Sequence, residues 1–168
     1  MKLNLGCYLN TKKGYINIDI EKFTPEVEVL DLNKIPYPFK TNSCTKIIMR
    51  GILDHLRADL TNSILDELHR ISQPNALIYI TSSFGANYMR ALDHTRGFTF
   101  RSFKSLTKAK GTHGKRGWNA SNKNWEIVHI DAEPSFFGKL LPKFIRNPAG
   151  EHFNGLLRNI NVTLRVVK

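Results

Sequence analysis

Residues 2–20 read KLNLGCYLNTKKGYINIDI, and this stretch decides the fold. It contains two short runs, 2–5 and 15–20, whose Leu and Ile content is typical of buried strands. Gly6 follows the first run, and Asp19 lies at the end of the second. Two buried strands in such close succession predict the beginning of a parallel sheet.

The pattern of short apolar runs continues to residue 84. Further strands are predicted at 27–30, 46–50 and 76–81 from their Val and Ile content. A helix is predicted over 59–72, because apolar residues recur there at helical spacing and Gln73-Pro74-Asn75 stops the pattern. Strands that alternate with a helix indicate an α/β fold.

The second half of the chain has a different composition and a different apolar pattern. Residues 85–124 are polar, basic and rich in glycine, which predicts a helix followed by a long loop. Two more strands are predicted at 125–130 and 160–167. The last alternates strictly between apolar and other residues, as an antiparallel strand does. We therefore expect a single domain over 1–168, with parts at 1–84, 85–124 and 125–168.

The charge of the protein is unevenly distributed. The chain of 168 residues has a net charge of +11. Residues 1–84 contribute +1 and residues 85–168 contribute +10. A basic surface kept for solubility is one explanation, but an excess of this size favours a partner that carries phosphate groups.

The residues that follow each predicted strand are the candidates for ligand binding. In a doubly wound sheet, ligands bind beyond the carboxyl ends of the strands, where the strand order reverses. These positions hold a glycine that allows close backbone approach, two acids and an arginine: Gly6-Cys7, Asp19-Ile20, Asp31-Leu32 and Arg50.

Taken in order, four segments of the chain resemble the class I S-adenosylmethionine-dependent methyltransferases, in particular their compact small-molecule-type branch. The segments are KLNLGCYLNTKKGYINIDI, VEVLDLNKIPYPFKTNSCTKIIMRGILDHL, ILDELHRISQPNALIYITSSF and LDHTRGFTFRSF, and the resemblance covers residues 2–103. It implies a Rossmann-like, doubly wound, seven-stranded mixed sheet with an antiparallel last strand, and S-adenosylmethionine as the cofactor.

The resemblance also assigns roles to the strand-end residues. Gly6 and Cys7 would lie under the methionine part of the cofactor. Asp19 would hold the ribose hydroxyls, with Ile20 beside it in the cofactor-binding set. Asp31 and Leu32 would flank the adenine. Arg50 would face both the sulfonium and the methyl acceptor.

Two departures from the family pattern affect the cofactor loop. Where the family usually has Gly-x-Gly, this chain has Gly6-Cys7-Tyr8, which brings a bulky ring into the loop. Only nine residues separate Leu5 from Tyr15, which is too few for the usual helix. We therefore expect shortened or missing N-terminal helices.

The candidates for a catalytic base are His55 and His94, since histidine is the commonest general base near neutral pH. His55 lies in Asp54-His55-Leu56, which corresponds to a frequent Glu-His-Leu of the family. His94 lies in LDHTRGFTF, near where the family often has an Asp-x-Thr-His stretch, and in this chain Arg96 rather than a histidine falls in the last position of that stretch. A structural histidine at the start of the helix is the alternative explanation for His55.

Three functions fit these observations. The first is methyl transfer to a phosphate-bearing acceptor such as RNA, DNA or a nucleotide, gripped by residues 85–124. The second is nucleic-acid binding on a decayed methyltransferase fold, with Phe98, Phe100 and Trp118 stacking on bases. A role in the hydrophobic core is the alternative explanation for these aromatic residues. The third is a nicotinamide-dependent oxidoreductase, which ranks last because no full Gly-x-Gly-x-x-Gly occurs.

The remaining expectations concern location and assembly. Cys7 and Cys44 are expected to be free thiols, and His113, His129 and His152 lack metal-ligand spacing with them, so no metal is expected. No apolar run is long enough to span a membrane and no targeting signal is visible, which predicts a cytoplasmic protein. A homodimer is a further expectation, because a small domain gains buried surface by pairing.

Overall fold

The computed structural model describes residues 1–107 and 123–168. Within them, seven strands form one mixed sheet in the order β3-β2-β1-β4-β5-β7-β6. The strands are β1 (Lys2–Leu5), β2 (Ile16–Asp19), β3 (Val27–Val29), β4 (Cys44–Arg50), β5 (Ser72–Ser83), β6 (Asn124–Pro134) and β7 (Leu157–Val167). The predicted Rossmann-like, doubly wound topology is confirmed.

The antiparallel character of the last strand is also confirmed. Strands β1 to β5 pair in parallel, whereas β7 lies between β5 and β6 and is antiparallel to both. The strict alternation of residues 160–167 follows from this position, since every second side chain of β7 enters the core. The carboxyl ends of β4, β5 and β6 therefore lie at one edge of the sheet, together with the amino end of β7.

Three α-helices occur in the described residues: α1 (Thr61–Ile71), α2 (Phe100–Lys104) and α3 (Lys143–Gly150). Short 3-10 turns cover Ala58–Leu60, Gly85–Arg90 and Phe137–Leu140. Helix α1 is amphipathic and buries Ile64, Leu65, Leu68 and Ile71 against the sheet. No helix of the described residues is long and apolar enough to cross a bilayer.

One face of the sheet forms the hydrophobic core. Leu3, Ile47, Ile78 and Leu164 lie side by side on β1, β4, β5 and β7, and each is 0% exposed. The core runs from β1 to β7, so residues 1–84 and 125–168 share it. Burial of this apolar row is the main favourable term in the folding free energy.

The opposite face is polar near β1 and β2, where the family fold usually has a helix. Residues 6–15 form turns there instead of a helix, as the nine-residue spacing predicted. Two buried asparagines hold these turns in place. Asn4 Nδ2 donates to Asn10 O and to Asn17 Oδ1, each over 2.9 Å, and the Lys12 N–H donates to Asn17 Oδ1 over 2.8 Å.

His69 joins helix α1 to the far edge of the sheet. Its Nε2 lies 3.2 Å from Asn124 O and 3.3 Å from Val167 O, and its ring packs edge-on against Trp125. Burial lowers the pKa of His69, and the nearby charges of Lys168 and Lys123 lower it further. The neutral imidazole is therefore the form that the folded state prefers.

This pKa shift predicts a loss of stability in mild acid. The folded-state pKa of His69 lies below its ordinary value of 6.5, so the unfolded chain binds the proton more readily. The free energy of unfolding should therefore decrease as the pH falls below about 6.5, because His69 is protonated more readily in the unfolded chain. Denaturant unfolding at pH 7.5 and 5.5 should show that the free energy of unfolding depends less on pH in His69→Gln than in the wild type. His129→Gln, at an exposed position, is the control. If the free energy of unfolding changes equally with pH in both variants, the lowered pKa does not belong to His69.

Candidate active site

The loop after β1 lies directly against the loop after β4. Gly6 has a φ of 64°, in the left-handed region that favours glycine. A Cβ at Gly6 would lie 2.5 Å from Ile52 Cβ and Cγ1, so the close contact of the two loops requires a residue without a side chain. Cys7 is buried, and burial together with the charge of Asp19 raises the pKa of its thiol. A raised pKa favours the protonated thiol over the thiolate.

Tyr8 occupies the position of the family's second glycine and retains the glycine conformation. Its φ is 48°, and its ring is half exposed and packs edge-on against Phe23, with ring centroids 4.6 Å apart. The loop therefore keeps its backbone geometry while carrying a large side chain. A left-handed conformation costs a non-glycine residue about 1 to 2 kcal/mol.

Asp19 ties this loop to the end of β2. The Tyr8 N–H donates to Asp19 Oδ2 over 2.8 Å, and the Ile20 N–H donates to Asp19 Oδ1 over 2.7 Å. Each carboxylate oxygen can accept more than one hydrogen bond, so the fixed carboxylate retains acceptor capacity. The side chain of Ile20 is exposed beside it. This geometry suits a carboxylate that receives two neighbouring hydroxyls.

The remaining predicted cofactor residues lie further along the same edge. Asp31 Oδ1 accepts a hydrogen bond from the Asn33 N–H over 2.9 Å, so Asp31 forms an Asx turn. Leu32 packs in the core, which leaves its backbone, rather than its side chain, to border a ligand. Arg50 is exposed at the end of β4. The cofactor roles of these three residues stay predictions.

The structure brings the two predicted catalytic histidines together. The rings of His55 and His94 meet edge to face, with centroids 4.4 Å apart and planes at 85°. His55 Nδ1 lies 3.1 Å from Asp93 Oδ2. His94 Nδ1 lies 3.3 Å from Ser83 Oγ and 3.7 Å from Asp54 Oδ2. We call Asp54, His55, Ser83, Asp93 and His94 the histidine cluster.

Sequence reasoning missed three members of this cluster, although a signal was present. The chain contains the dipeptide Asp-His twice, at 54–55 and 93–94, and the fold pairs each histidine with the aspartate of the other dipeptide. Thr95 joins the two segments, since its N–H donates to Asp54 O over 2.7 Å. The cluster lies in the loops after β4 and β5, at the same sheet edge as Asp19.

The histidine cluster has a defined arrangement of protons around His94. The Ser83 hydroxyl and the Ser83 N–H both donate to Asp54 Oδ2, over 2.7 and 3.0 Å. Because the hydroxyl proton is used in this way, Ser83 Oγ can take part in the contact with His94 only as an acceptor, which assigns the N–H donor to His94 Nδ1. His94 Nε2 then carries the lone pair. The Asp54 side chain is buried, and its Oδ1 has no hydrogen-bond partner in the described part of the chain.

The aromatic residues that were candidates for base stacking are in the core. Phe98 and Phe100 are 6% and 8% exposed and pack with Phe84 and Phe103. The stacking role considered for Phe98 and Phe100 is therefore wrong, because their faces are covered by other apolar side chains. Trp118 lies outside the described residues.

A different set of exposed aromatics borders the site. Residues 135–156, which we call the cap segment, connect β6 to β7 at the edge that holds the histidine cluster. Their large apolar side chains are mostly in solvent, each at least 44% exposed: Phe136, Phe137, Leu140, Phe144, Ile145 and Phe153. Lys139 and Lys143 lie between them in sequence. The rings of Phe136 and Phe137 contact each other, with centroids 5.6 Å apart, and exposed apolar side chains concentrated in one segment are typical of an interaction site.

Comparison with known proteins defines the fold. No family model matches the chain, and no curated protein sequence matches it. A SAM-dependent methyltransferase from Archaeoglobus fulgidus matches with a TM-score of 0.67 and 13% identity, over 98% of this chain and 85% of that one. A SAM-dependent methyltransferase from Methanosarcina mazei matches with a TM-score of 0.59 and 16% identity, over 99% and 92%.

The [4+2]-cyclase SpnF matches equally well, with a TM-score of 0.61 and 13% identity, over 99% of this chain and 74% of that one. The chain therefore has the fold of the class I SAM-dependent methyltransferases, as the sequence resemblance predicted. Identities this low establish the fold alone, and SpnF shows that proteins of this fold include a cyclase.

The contact between Gly6 and Ile52 generates a prediction about stability. Gly6→Ala should destabilise the protein through its left-handed backbone and through the clash with Ile52. Gly14 also has a positive φ, of 79°, but no atom lies within 4 Å of a Cβ there, so Gly14→Ala should cost only the conformational term of about 1 to 2 kcal/mol. Chemical denaturation should show about 1 to 3 kcal/mol more destabilisation for Gly6→Ala. Equal costs would mean that the two loops are not in close contact.

Proposed function

We propose that this protein is an S-adenosylmethionine-dependent methyltransferase that acts on a phosphate-bearing acceptor. The observation that carries the proposal is the position of two sites at one edge of the sheet. Asp19 and the Gly6 loop form a ribose-binding geometry after β1 and β2, and the histidine cluster follows β4 and β5. The solved methyltransferases of the same fold support this cofactor.

The reaction requires little covalent chemistry from the protein. The methyl group leaves a sulfonium by direct displacement, so positioning the acceptor in line with the methyl group supplies much of the rate. His94 is the candidate base for an acceptor that must lose a proton. Its Nδ1 is held by Ser83, which leaves the lone pair on Nε2 available. Ser83 and Asp54 act by fixing the tautomer and the orientation of His94.

The cap segment provides the features that a nucleic-acid acceptor needs. Bases stack on exposed aromatic rings, and lysines neutralise phosphates. Phe136, Phe137 and Phe144 are 77%, 67% and 78% exposed, and Lys139 is exposed between them in sequence. The excess positive charge of residues 85–168 also favours binding of the phosphates of a nucleic acid. The predicted contribution of Lys108, Lys110, Lys115 and Arg116 lies outside the described residues and stays a prediction.

The second candidate function is nucleic-acid binding on an inactive methyltransferase fold. One observation favours it: Tyr8 stands at the family's second glycine and packs on Phe23 beside Asp19. A ring at this position reduces the space for a cofactor. Cofactor binding therefore separates the two functions, since both predict binding of nucleic acid but only the first requires S-adenosylmethionine.

Asp19→Ala should weaken S-adenosylmethionine binding by about 1 to 3 kcal/mol, because the ribose hydroxyls would lose a charged acceptor. Wild-type protein should show a rise in melting temperature with added ligand, and the variant should need higher concentrations for the same rise. Glu28→Ala, which removes an exposed acid from β3, is the control and should behave as the wild type. No thermal shift in the wild type at millimolar ligand would contradict the methyltransferase proposal.

We expect the cap segment to contact single-stranded RNA in two ways, by stacking of aromatic rings on bases and by pairing of a lysine with a phosphate. Phe137→Ala and Phe144→Ala should each weaken binding by about 1 to 3 kcal/mol without changing its salt dependence, because stacking neutralises no phosphate. Lys139→Ala should lower the slope of log affinity against log salt by about 0.7. Fluorescence anisotropy at several salt concentrations measures both effects. Val128→Ala, an exposed apolar change on β6, is the control.

The outcome that excludes a nucleic-acid acceptor is equally specific. If wild-type protein binds no single- or double-stranded nucleic acid in a salt-dependent way, the acceptor must be a small molecule or a protein. If all three cap variants lose binding together with thermal stability, the cap segment has a structural role rather than a binding role.

A further inference from the structure

We propose that the histidine cluster binds a divalent transition-metal ion of the zinc class through His55, Asp93 and His94. Each of these side chains offers one ligand atom, and the three atoms lie within 4.8 Å of one another. Two imidazoles and one carboxylate form a donor set that suits zinc, iron, cobalt and nickel. These ligands differ from His113, His129 and His152, whose spacing in the sequence predicts no metal site.

The distances fit a site that closes around an ion. Ligand bonds of about 2.0 to 2.2 Å in a tetrahedral site place neighbouring ligand atoms roughly 3.3 to 3.6 Å apart. His55 Nδ1 and Asp93 Oδ2 are already 3.1 Å apart. The separations that involve the ligand atom of His94 are at most 4.8 Å, so small side-chain rotations in the cluster would bring all three ligand atoms onto one ion.

A second observation points to a cation at this place. Asp54 carries a negative charge in a side chain that is only 3% exposed, and its Oδ1 has no partner among the described residues. A buried carboxylate of this kind is costly unless a positive charge lies near it. With Asp93, the cluster contains two carboxylates beside two imidazoles. A divalent ion would balance the two negative charges.

The contacts around His94 resemble the outer shell of a metal site. Metal-binding histidines usually donate their second ring N–H to a carboxylate, a carbonyl or a water, which fixes the ring. His94 Nδ1 donates to Ser83 Oγ, which in turn donates to Asp54 Oδ2. The lone pair of His94 Nε2 is thereby directed away from Asp54 and Ser83. Ser83 and Asp54 are positioning residues in this arrangement.

The position of the ion would give it a role in the proposed reaction. The cluster lies after β4 and β5, whereas the Asp19 site lies after β2, so the ion would lie on the acceptor side. There it would occupy the Nε2 lone pair of His94 and so take the place of that imidazole as base, since its positive charge beside an acceptor oxygen favours the deprotonated form. This consequence rests on the proposed methyltransferase function. Binding of the metal itself does not.

The test uses the full chain, freed of metal with a chelator and titrated with Co²⁺ and then Zn²⁺. We expect one equivalent of Co²⁺ to bind and to give the visible absorption of a cobalt ion with nitrogen and oxygen ligands, and Zn²⁺ to displace it. His55→Ala and His94→Ala should each weaken binding by about 100-fold, and Ser83→Ala by about 10-fold. Asp93→Asn, at an exposed position, should weaken binding without affecting folding. His129→Ala is the control and should bind as the wild type.

Two results would overturn the proposal: no Co²⁺ or Zn²⁺ binding to the folded wild-type protein at 0.1 mM (on the order of the weakest specific sites), or unchanged binding in His55→Ala and His94→Ala. A thermal-shift titration with S-adenosylmethionine on the same samples keeps this failure separate from failure of the proposed function. Cofactor binding without metal binding would remove only the metal site. Metal binding without cofactor binding would remove only the methyltransferase function.

Discussion

The candidate site depends on the parallel pairing of β1 with two strands at once. Leu3 and Leu5 of β1 stand in register with β2 on one side and with β4 on the other. The chain therefore leaves β1 in one direction and returns to its other side through β4, so the strand order reverses at the end of β1. Gly6 lies at this point and comes close to Ile52 in the loop after β4. The cofactor loop and the histidine cluster are thus held on the same edge by a buried, hydrogen-bonded sheet.

The fold also shows how a domain can lose helices and keep its sheet. In the absence of a helix between β1 and β2, the backbone of residues 6–15 needs other hydrogen-bond partners. Asn4 and Asn17, both almost fully buried, provide them from the polar face of the sheet. The result is a shallow loop that carries Tyr8 at its surface. The turns of residues 6–15 therefore replace a helix while β1 and β2 stay paired in the sheet.

Much of the fold could be predicted because its signals are local. The Leu and Ile runs at 2–5 and 15–20 and the helical spacing of Ile64, Leu68 and Ile71 are visible in the sequence. The boundaries of β5 and β6 were predicted too short, since their extra residues are set by pairing with β4 and β7. The candidate site was harder to predict, because its contacts join residues that are far apart in the sequence. The sequence indicates His55 and His94 as two separate candidates. The pairing of His55 with Asp93 and of His94 with Asp54 depends on the tertiary structure. The exposure of Phe137 and the burial of Phe98 likewise depend on packing.

The proposed function requires the loops at the end of β1 to bind S-adenosylmethionine. This binding can be measured by calorimetric titration of the wild-type protein with S-adenosylmethionine, its demethylated product and a nicotinamide dinucleotide. We expect the first two ligands to bind at one site per chain and to compete with each other, and the dinucleotide to produce no heat of binding. Binding of the dinucleotide alone, or no heat from any of the three ligands, would contradict the proposed function.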